Sequence, residues 1–403
     1  MSSQSVTGKK WVLKDFNIEE LNFIKDNFYL DEIVAKLLAI RKIKREEIKN
    51  YLDPTIKNIL PNPNTIEDLE KASKRLIYAI KNKQKIGIFG DYDVDGACST
   101  ALLANFFSLI NIEYEIHIPD RQKEGYGPSE SGFKKLIDRK VDLIITVDCG
   151  TLSFKPIEFA NNKNKDVIII DHHQSEVKLP EAHSIVNPNR YDDKSNLKHL
   201  CASGVCFMFL IKVCSLLRKE NWFKNNNFKE PNLIDFLDLV SLGTICDVVP
   251  LVGLNRAIVK QGLKIIRQKK NLGLKTLIDI CNISGDPTTY HVGYILGPRI
   301  NAGGRVGKCD YAANLLLNIN PKNAFKIATE LNRYNKERQL IESELLIKIL
   351  KEIKDLNDPV IILYGKEWHE GVIGIIASKI KERYNKPTII ISLKDGIGKA
   401  SAR

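Results

Sequence analysis

Apolar residues recur every three to four positions over residues 18–27, 31–40 and 45–51, a period that predicts three short helices. A connector carrying Pro54, Pro61 and Pro63 follows, and residues 66–83 return to the helical period. The rhythm then changes. Residues 85–89 (KIGIF), 113–118, 141–147, 167–170 and 184–186 are short runs rich in β-branched side chains, and each of the first four leads into a turn with glycine or aspartate. Most intervals between them hold helical patterns, at 97–110, 129–139 and 154–161. Strands alternating with helices predict a parallel sheet covered on both faces. Ligands of such sheets sit beyond the carboxyl ends of the strands.

Residues 202–280 read as helical again, and residues 321–354 as one unusually long helix after a proline. Residues 359–364, 371–383 and 387–393 restart the strand–helix–strand alternation, and 396–403 read as a further strand that stops abruptly. The expected class is α/β, with a helical extension (1–80), a parallel-sheet domain (81–310), a long connecting helix region (311–357) and a smaller α/β domain (358–403), with a cleft beside the helix. The chain shows no internal repeat and no low-complexity tract. Its longest apolar runs fall far short of the roughly 20 residues that span a bilayer, and residues 1–10 carry no apolar signal region. A cytoplasmic protein without membrane contact is expected.

Composition narrows the picture little. The 403 residues are 43% hydrophobic and 27% charged, which suits a globular protein and excludes fibrous or wholly disordered classes. Eight cysteines without a Cys-x-x-Cys pair form no disulfide framework. His199, Cys201 and Cys206 lack a fourth ligand at zinc-like spacing. The net charge of +12 favours a polyanionic partner, but a lysine-rich surface can arise from composition alone. Only 15 of the 61 basic residues are arginine, so the positions of the arginines carry more weight.

The chemistry concentrates at strand ends. Asp91, Asp93 and Asp95 (GDYDVDG) follow the first strand, Asp148 (DCG) the third, and Asp171, His172 and His173 the fourth; Asp247 closes an apolar segment at 239–246. Three aspartates within five residues repel one another unless a positive charge lies between them. Oxygen-rich ligands with an imidazole suit Mg²⁺ or Mn²⁺ and not a thiolate zinc site. Five or six ligands exceed the needs of one ion, so two ions, about 3.5–4 Å apart and sharing a carboxylate, fit better.

The strings GDYDVDG, VDCG, DHH and SLGTICDVVPL, in this order, resemble the four motifs of the DHH phosphoesterase superfamily. Within it, GPRINAGGR (297–305), WHEGVIG (368–374), GKASAR (398–403) and the opening Trp11-Val12-Leu13 resemble the RecJ family of single-strand-specific 5′→3′ exonucleases, from about residue 7 to the end. The resemblance implies a DHH domain and a DHH-associated domain, hydrolysis of single-stranded DNA to 5′-mononucleotides in recombination and repair, and two Mn²⁺ or Mg²⁺. It also implies metal ligands Asp93, Asp95, Asp148, His172 and Asp247, with Asp148 as the bridge and Asp91 ligating or supporting.

By the same resemblance His173 contacts the scissile phosphate or leaving oxygen, Asp171 orients its neighbours, and Arg305 and His369 lie near the scissile phosphate. Arg121, Ser401 and Arg403 match positions that hold the 5′-terminal phosphate. Arg299 and Asn301 belong to the same phosphate-facing set, and Tyr126 is a candidate base platform or a packing residue. Arginine forks suit bidentate phosphate contacts. Implied partners are single-stranded DNA, a single-strand-binding protein and a helicase, with a monomer as the default. Two departures are visible. Gly303 and Gly304 stand where that family often has alanines and are expected to loosen the loop, and the sequence stops before the oligonucleotide-binding barrel usual in that family, so it is expected to be a fragment of something longer that by itself hydrolyses short strands weakly. Competing readings are a related DHH hydrolase of oligonucleotides, nucleoside bisphosphates or cyclic dinucleotides, and a degenerate binding protein, which would be expected to have lost acidic ligands that are all present here.

Overall fold

Most of the β-branched runs of the first half have no polar side to leave in water, and they pair into one sheet whose central strands are buried on both faces and whose edge strand at 114–117 is half-buried. In the computed structural model, which describes residues 5–6, 10–121, 123–353 and 358–403, the strands are β1 (Ile86–Gly90), β2 (Tyr114–His117), β3 (Leu143–Val147), β4 (Asp166–Ile170) and β5 (Ser184–Val186). Their order is β2-β1-β3-β4-β5 and every pair is parallel. Ile88 stands opposite Ile116 on one side and Ile145 on the other. On one face Phe89, Ile144, Val167 and Ile169 pack with Phe133, Leu136 and Ile157 from the helices Glu130–Asp138 and Phe154–Asn162. The helix Ala202–Lys219 packs against β3 and β4 as well. The chain leaves β1 toward β2 and then returns to build β3 on the other side. That switch opens a crevice beyond the carboxyl ends of β1 and β3, where Asp91 and Asp148 stand.

A second core gathers the elements around that crevice. Val94, Ala97, Cys98 and Ala101 of the helix Val94–Leu109 meet Leu239 and Leu242 of the helix Leu237–Cys246, together with Leu277, Leu296, Ile300 and Leu331. The GPRINAGGR string is not a loop: it is the helix Gly297–Val306. The expectation that its glycines loosen the chain is therefore corrected. A Cβ on Gly303 would stand 2.7 Å from Lys308 O, and one on Gly304 would stand 2.9 Å from the Tyr92 ring, so these glycines permit close packing.

The helix Pro321–Glu352 runs for 32 residues and begins with Asn320 accepting from Lys322 N and Asn323 N, with proline in the first turn. The expected end of this helix at residue 354 lies outside the described residues. Its last turns supply Leu345 and Ile349 to a core with Ile361, Trp368, Ile376 and Ile390. That core lies under a three-stranded sheet of β6 (Ile361–Lys366), β7 (Thr388–Lys394) and β8 (Ile397–Ala402). β6 and β7 are parallel around the helix Ile373–Tyr384, and β8 returns antiparallel.

The chain divides into two compact units, one of residues 1–60 with 251–257 and one of 61–250 with 258–403. The first is helical. Leu21, Ile24, Ala35, Leu38 and Ile48 form its core, and Arg45 holds Glu20 while its guanidinium covers the Phe23 ring. Among the described residues no helix is long and apolar enough to cross a membrane.

Candidate active site

Asp91 follows β1 directly, and Asp93 caps the helix Val94–Leu109 by accepting from Gly96 N at 2.9 Å. Asp95, in the first turn of that helix, turns inward and accepts from Ala202 N (2.6 Å) and Ser203 N (3.1 Å) at the start of the helix Ala202–Lys219. Asp148 follows β3 with φ +61°, a left-handed conformation that aspartate tolerates better than most residues. Asp247 is not at a strand end. It caps the carboxyl end of the helix Leu237–Cys246.

These side chains converge. Asp91, Asp93 and Asp148 place ligand atoms within 4.8 Å of one another, as do Asp95, His172 and Asp247, and Asp148, His172 and His173. Asp148 and His172 each belong to two of the three groups. His172 Nε2 lies 3.3 Å from Asp148 Oδ1, and its Nδ1 lies 3.7 Å from Asp247 Oδ2. Every carboxylate identified from sequence as a metal ligand therefore enters one continuous cluster.

Burial and mutual repulsion of the carboxyls outweigh the positive charge that His173 brings to the cluster. Burial, reinforced by Asp93, pushes the Asp91 carboxyl up to about 8, and burial with Asp95 and Asp93 pushes Asp247 up to about 7. Burial likewise raises Asp95, and it raises Asp148 far more than its ordinary range, with Asp93, Asp95, Asp91 and Asp171 adding to the effect. Among the described residues Asp91 Oδ1 and Asp148 Oδ1 are buried without a hydrogen-bond partner, since His172 approaches Asp148 outside hydrogen-bonding geometry. Orphaned, mutually repelling carboxylate oxygens beside an imidazole fit hard divalent cations.

Asp171 behaves differently. Burial alone would raise it, but hydrogen bonds from His173 Nδ1 (2.8 Å), Thr151 Oγ1 (2.7 Å) and the backbone of Thr151 hold it below the usual carboxylate range. It also accepts from His172 N and His173 N, so one carboxylate fixes both histidines. In return the Asp171 hydrogen bond raises His173 to about 9, despite partial burial of the ring. The Tyr126 hydroxyl lies 3.2 Å from His173 Nε2 and donates to Asp148 O at 3.3 Å.

The basic residues form further neighbourhoods. Arg121 lies over the Tyr92 ring at 5.5 Å. Arg305 donates to Gly371 O at 3.1 Å, and among the described residues it has no carboxylate partner. Burial lowers its pKa, with Arg121 and Arg338 pressing the same way. Burial also lowers His369, again with a contribution from Arg121, and His369 Nδ1 accepts from Gly371 N. Cations that depress one another leave room for an anion. Ser401 and Arg403 both close over Gly374, where a Cβ would stand 3.2 and 3.3 Å from their side chains. Arg299 donates from Nε to Asn332 Oδ1 (2.9 Å) and from Nη1 to Ile295 O (2.7 Å). Asn301 Oδ1 accepts from Val94 N at 3.1 Å and so braces the acidic turn from a different helix.

Some supporting residues escaped the sequence reading. Asn187 donates to His173 O and Thr151 Oγ1, both at 2.9 Å, and Asn189 donates to His172 O. They follow β5 on the rim that carries the acids, and that position was the available signal. Glu124 was also missed. It takes His117 Nε2 (2.9 Å), Lys135 Nζ (3.0 Å) and Asp120 N (3.3 Å), anchoring the turn that carries Arg121.

A parallel α/β sheet with an acidic and imidazole cluster at its switch point is the arrangement that the resemblance to the DHH class implies. The model of the DHH family N-terminal domain matches residues 85–244. The chain is 36% identical over 386 residues to the single-stranded-DNA-specific exonuclease RecJ of Escherichia coli (strain K12), covering 93% of this chain and 66% of that protein. It is 32% identical over 399 residues to RecJ of Bacillus subtilis (strain 168), covering 98% and 49%. A crystal structure of exonuclease RecJ bound to manganese superposes with a TM-score of 0.72 at 31% identity, over 84% of this chain and 82% of that one. The chain belongs to the RecJ family. It spans between about half and two thirds of the length of these two full-length relatives.

Proposed function

We propose that this chain hydrolyses single-stranded DNA from the 5′ end, releasing 5′-mononucleotides in recombination and repair. The observation that carries the reading is the position of Asp148, buried, orphaned at Oδ1 and common to two of the three ligand groups. Asp91, Asp93, Asp95, Asp148, His172 and Asp247 would hold two Mn²⁺ or Mg²⁺, in keeping with the manganese of the matched crystal structure. When bound, such a pair lowers the pKa of water and stabilises charge on the attacking and leaving oxygens of an in-line displacement.

The chain's own residues do the rest. His173, held by Asp171 at Nδ1, presents a proton to the scissile phosphate or leaving oxygen. Arg305 and His369, turned around Gly371, face the same phosphate, and Arg305 brings a charge that no carboxylate here neutralises. Arg121, Ser401 and Arg403 hold the 5′-terminal phosphate and so set polarity, and Tyr126 and Arg299 contact the strand. Asn301 acts mainly by bracing Val94 N.

In domain terms residues 81–310 carry the chemistry, 311–357 connect, 358–403 bind substrate, and 1–80 precede them. A cytoplasmic monomer working with a helicase and a single-strand-binding protein completes the reading. The test uses 3′-labelled and 5′-phosphorylated single and double strands with Mn²⁺, against Asp148→Ala. Release from the 5′ end of single strands, lost in the variant, is expected. Degradation from the 3′ end, or unchanged activity in the variant, contradicts it.

A further inference from the structure

A π-helical turn, His291–Leu296, leads directly into the helix Gly297–Val306. Its inner side, Val292 and Leu296, is buried in the core that also holds Leu239 and Leu242. The Cys246 thiol points at Val292 O at 3.7 Å, and a Cβ on Gly297 would stand 2.6 Å from the same sulfur. The turn is therefore seated on the residue immediately before Asp247.

On the outside, Tyr290 just before the turn and Tyr294 within it are 61% and 74% exposed, and their rings stack 5.3 Å apart and 28° from parallel. His291 stands edge-on to Tyr290 at 5.9 Å, and its Nδ1 accepts from Thr288 N at 3.1 Å. Arg299 donates to the carbonyl of Ile295, the residue after Tyr294. Core packing does not account for two large rings held nearly parallel in water. Paired aromatic faces are what single-strand-binding surfaces present to successive bases, and π-helical turns recur at functional sites.

We propose that Tyr290 and Tyr294 form a nucleobase-stacking platform for a single strand, on the Asp247 side of the metal cluster. The ligand is a base of any identity, because every base has a π-face. The inference rests on the nuclease reading above.

The test uses the full chain in EDTA, where no cleavage occurs, with single strands carrying 2-aminopurine at successive positions. One position is expected to be quenched on binding, and Tyr290→Ala/Tyr294→Ala to abolish that quenching while weakening binding roughly tenfold. An abasic residue at the same position weakens binding to the unmodified chain but adds no loss in the double variant. Tyr290→Phe/Tyr294→Phe retains both effects, and thermal melts of all variants match the unmodified chain. An alanine double variant that binds the intact strand normally overturns the platform, as does an abasic penalty equal in both proteins. Phenylalanine variants as weak as alanine ones also overturn it. If the unmodified chain ignores single strands altogether, the nuclease reading falls and the platform with it; if only the tyrosines prove indifferent, the platform falls alone.

Discussion

Four aspartates in this protein are held above their ordinary range by burial at the acid cluster, and a fifth, Asp238, is held there by burial elsewhere. Asp238 gives a clean test because it belongs to none of the ligand groups. Burial pushes it to about 6, against a hydrogen bond from Leu239 N at 2.7 Å. The folded protein keeps this proton at a pH where the unfolded chain releases it, so stability falls as pH rises from about 4 to about 6 and stays reduced above. Asp238→Asn keeps an acceptor for Leu239 N and removes the charge. Urea unfolding should show it stabilised by about 2–3 kcal/mol at pH 8 and unchanged at pH 3.5. In the cluster itself, Asp148→Ala should lower nuclease activity at least about a hundredfold. The same substitution should raise the melting temperature in EDTA, because it removes a carboxyl that burial and the neighbouring aspartates disfavour in the folded chain.

Elements place these residues by bracing backbone from a distance. Glu124 ties the turn after β2 to His117 and Lys135, and that turn carries Arg121. Glu124→Ala should raise KM for 5′-phosphorylated strands about tenfold with kcat changed less than threefold, and Arg121→Ala should give the same split. Equal losses in kcat would place Arg121 at the reacting phosphate instead. The strands, their parallel pairing and the acids at their ends were legible because a buried parallel strand has to be a continuous apolar run, and its end has to be a turn. Asp91, Asp148 and the histidines could be read from that rule alone. Asp247 could not be placed in the same way, because an apolar segment of eight residues suits a strand or a buried helix equally. The GPRINAGGR string misled for the opposite reason: glycine and proline signal a loop, yet here proline sits in a first helical turn and glycines admit Tyr92 and Lys308. Asn187, Asn189 and Glu124 stayed hidden because their work is hydrogen bonding across the fold, which leaves no periodicity.

At the scale of the molecule, the number of phosphates neutralised by cations, and not the net charge of +12, sets how binding responds to salt. If Arg121, Arg299, Arg305 and Arg403 each neutralise a phosphate, the logarithmic salt slope for a single strand is about −2.8, and raising salt from about 50 to 200 mM weakens binding roughly fiftyfold. Fluorescence anisotropy on a labelled strand measures the slope, and Arg121→Ala should make it shallower by about 0.7. A slope unchanged in that variant would remove Arg121 from the phosphate path.

The decisive measurement is electron paramagnetic resonance of the chain titrated with Mn²⁺. Two ions per chain with an exchange-coupled spectrum are expected, and Asp148→Ala should hold at most one, uncoupled. Ions bound without coupling in the unmodified chain, or coupling that survives the loss of Asp148, would contradict a shared-carboxylate cation pair at the ends of β1 and β3.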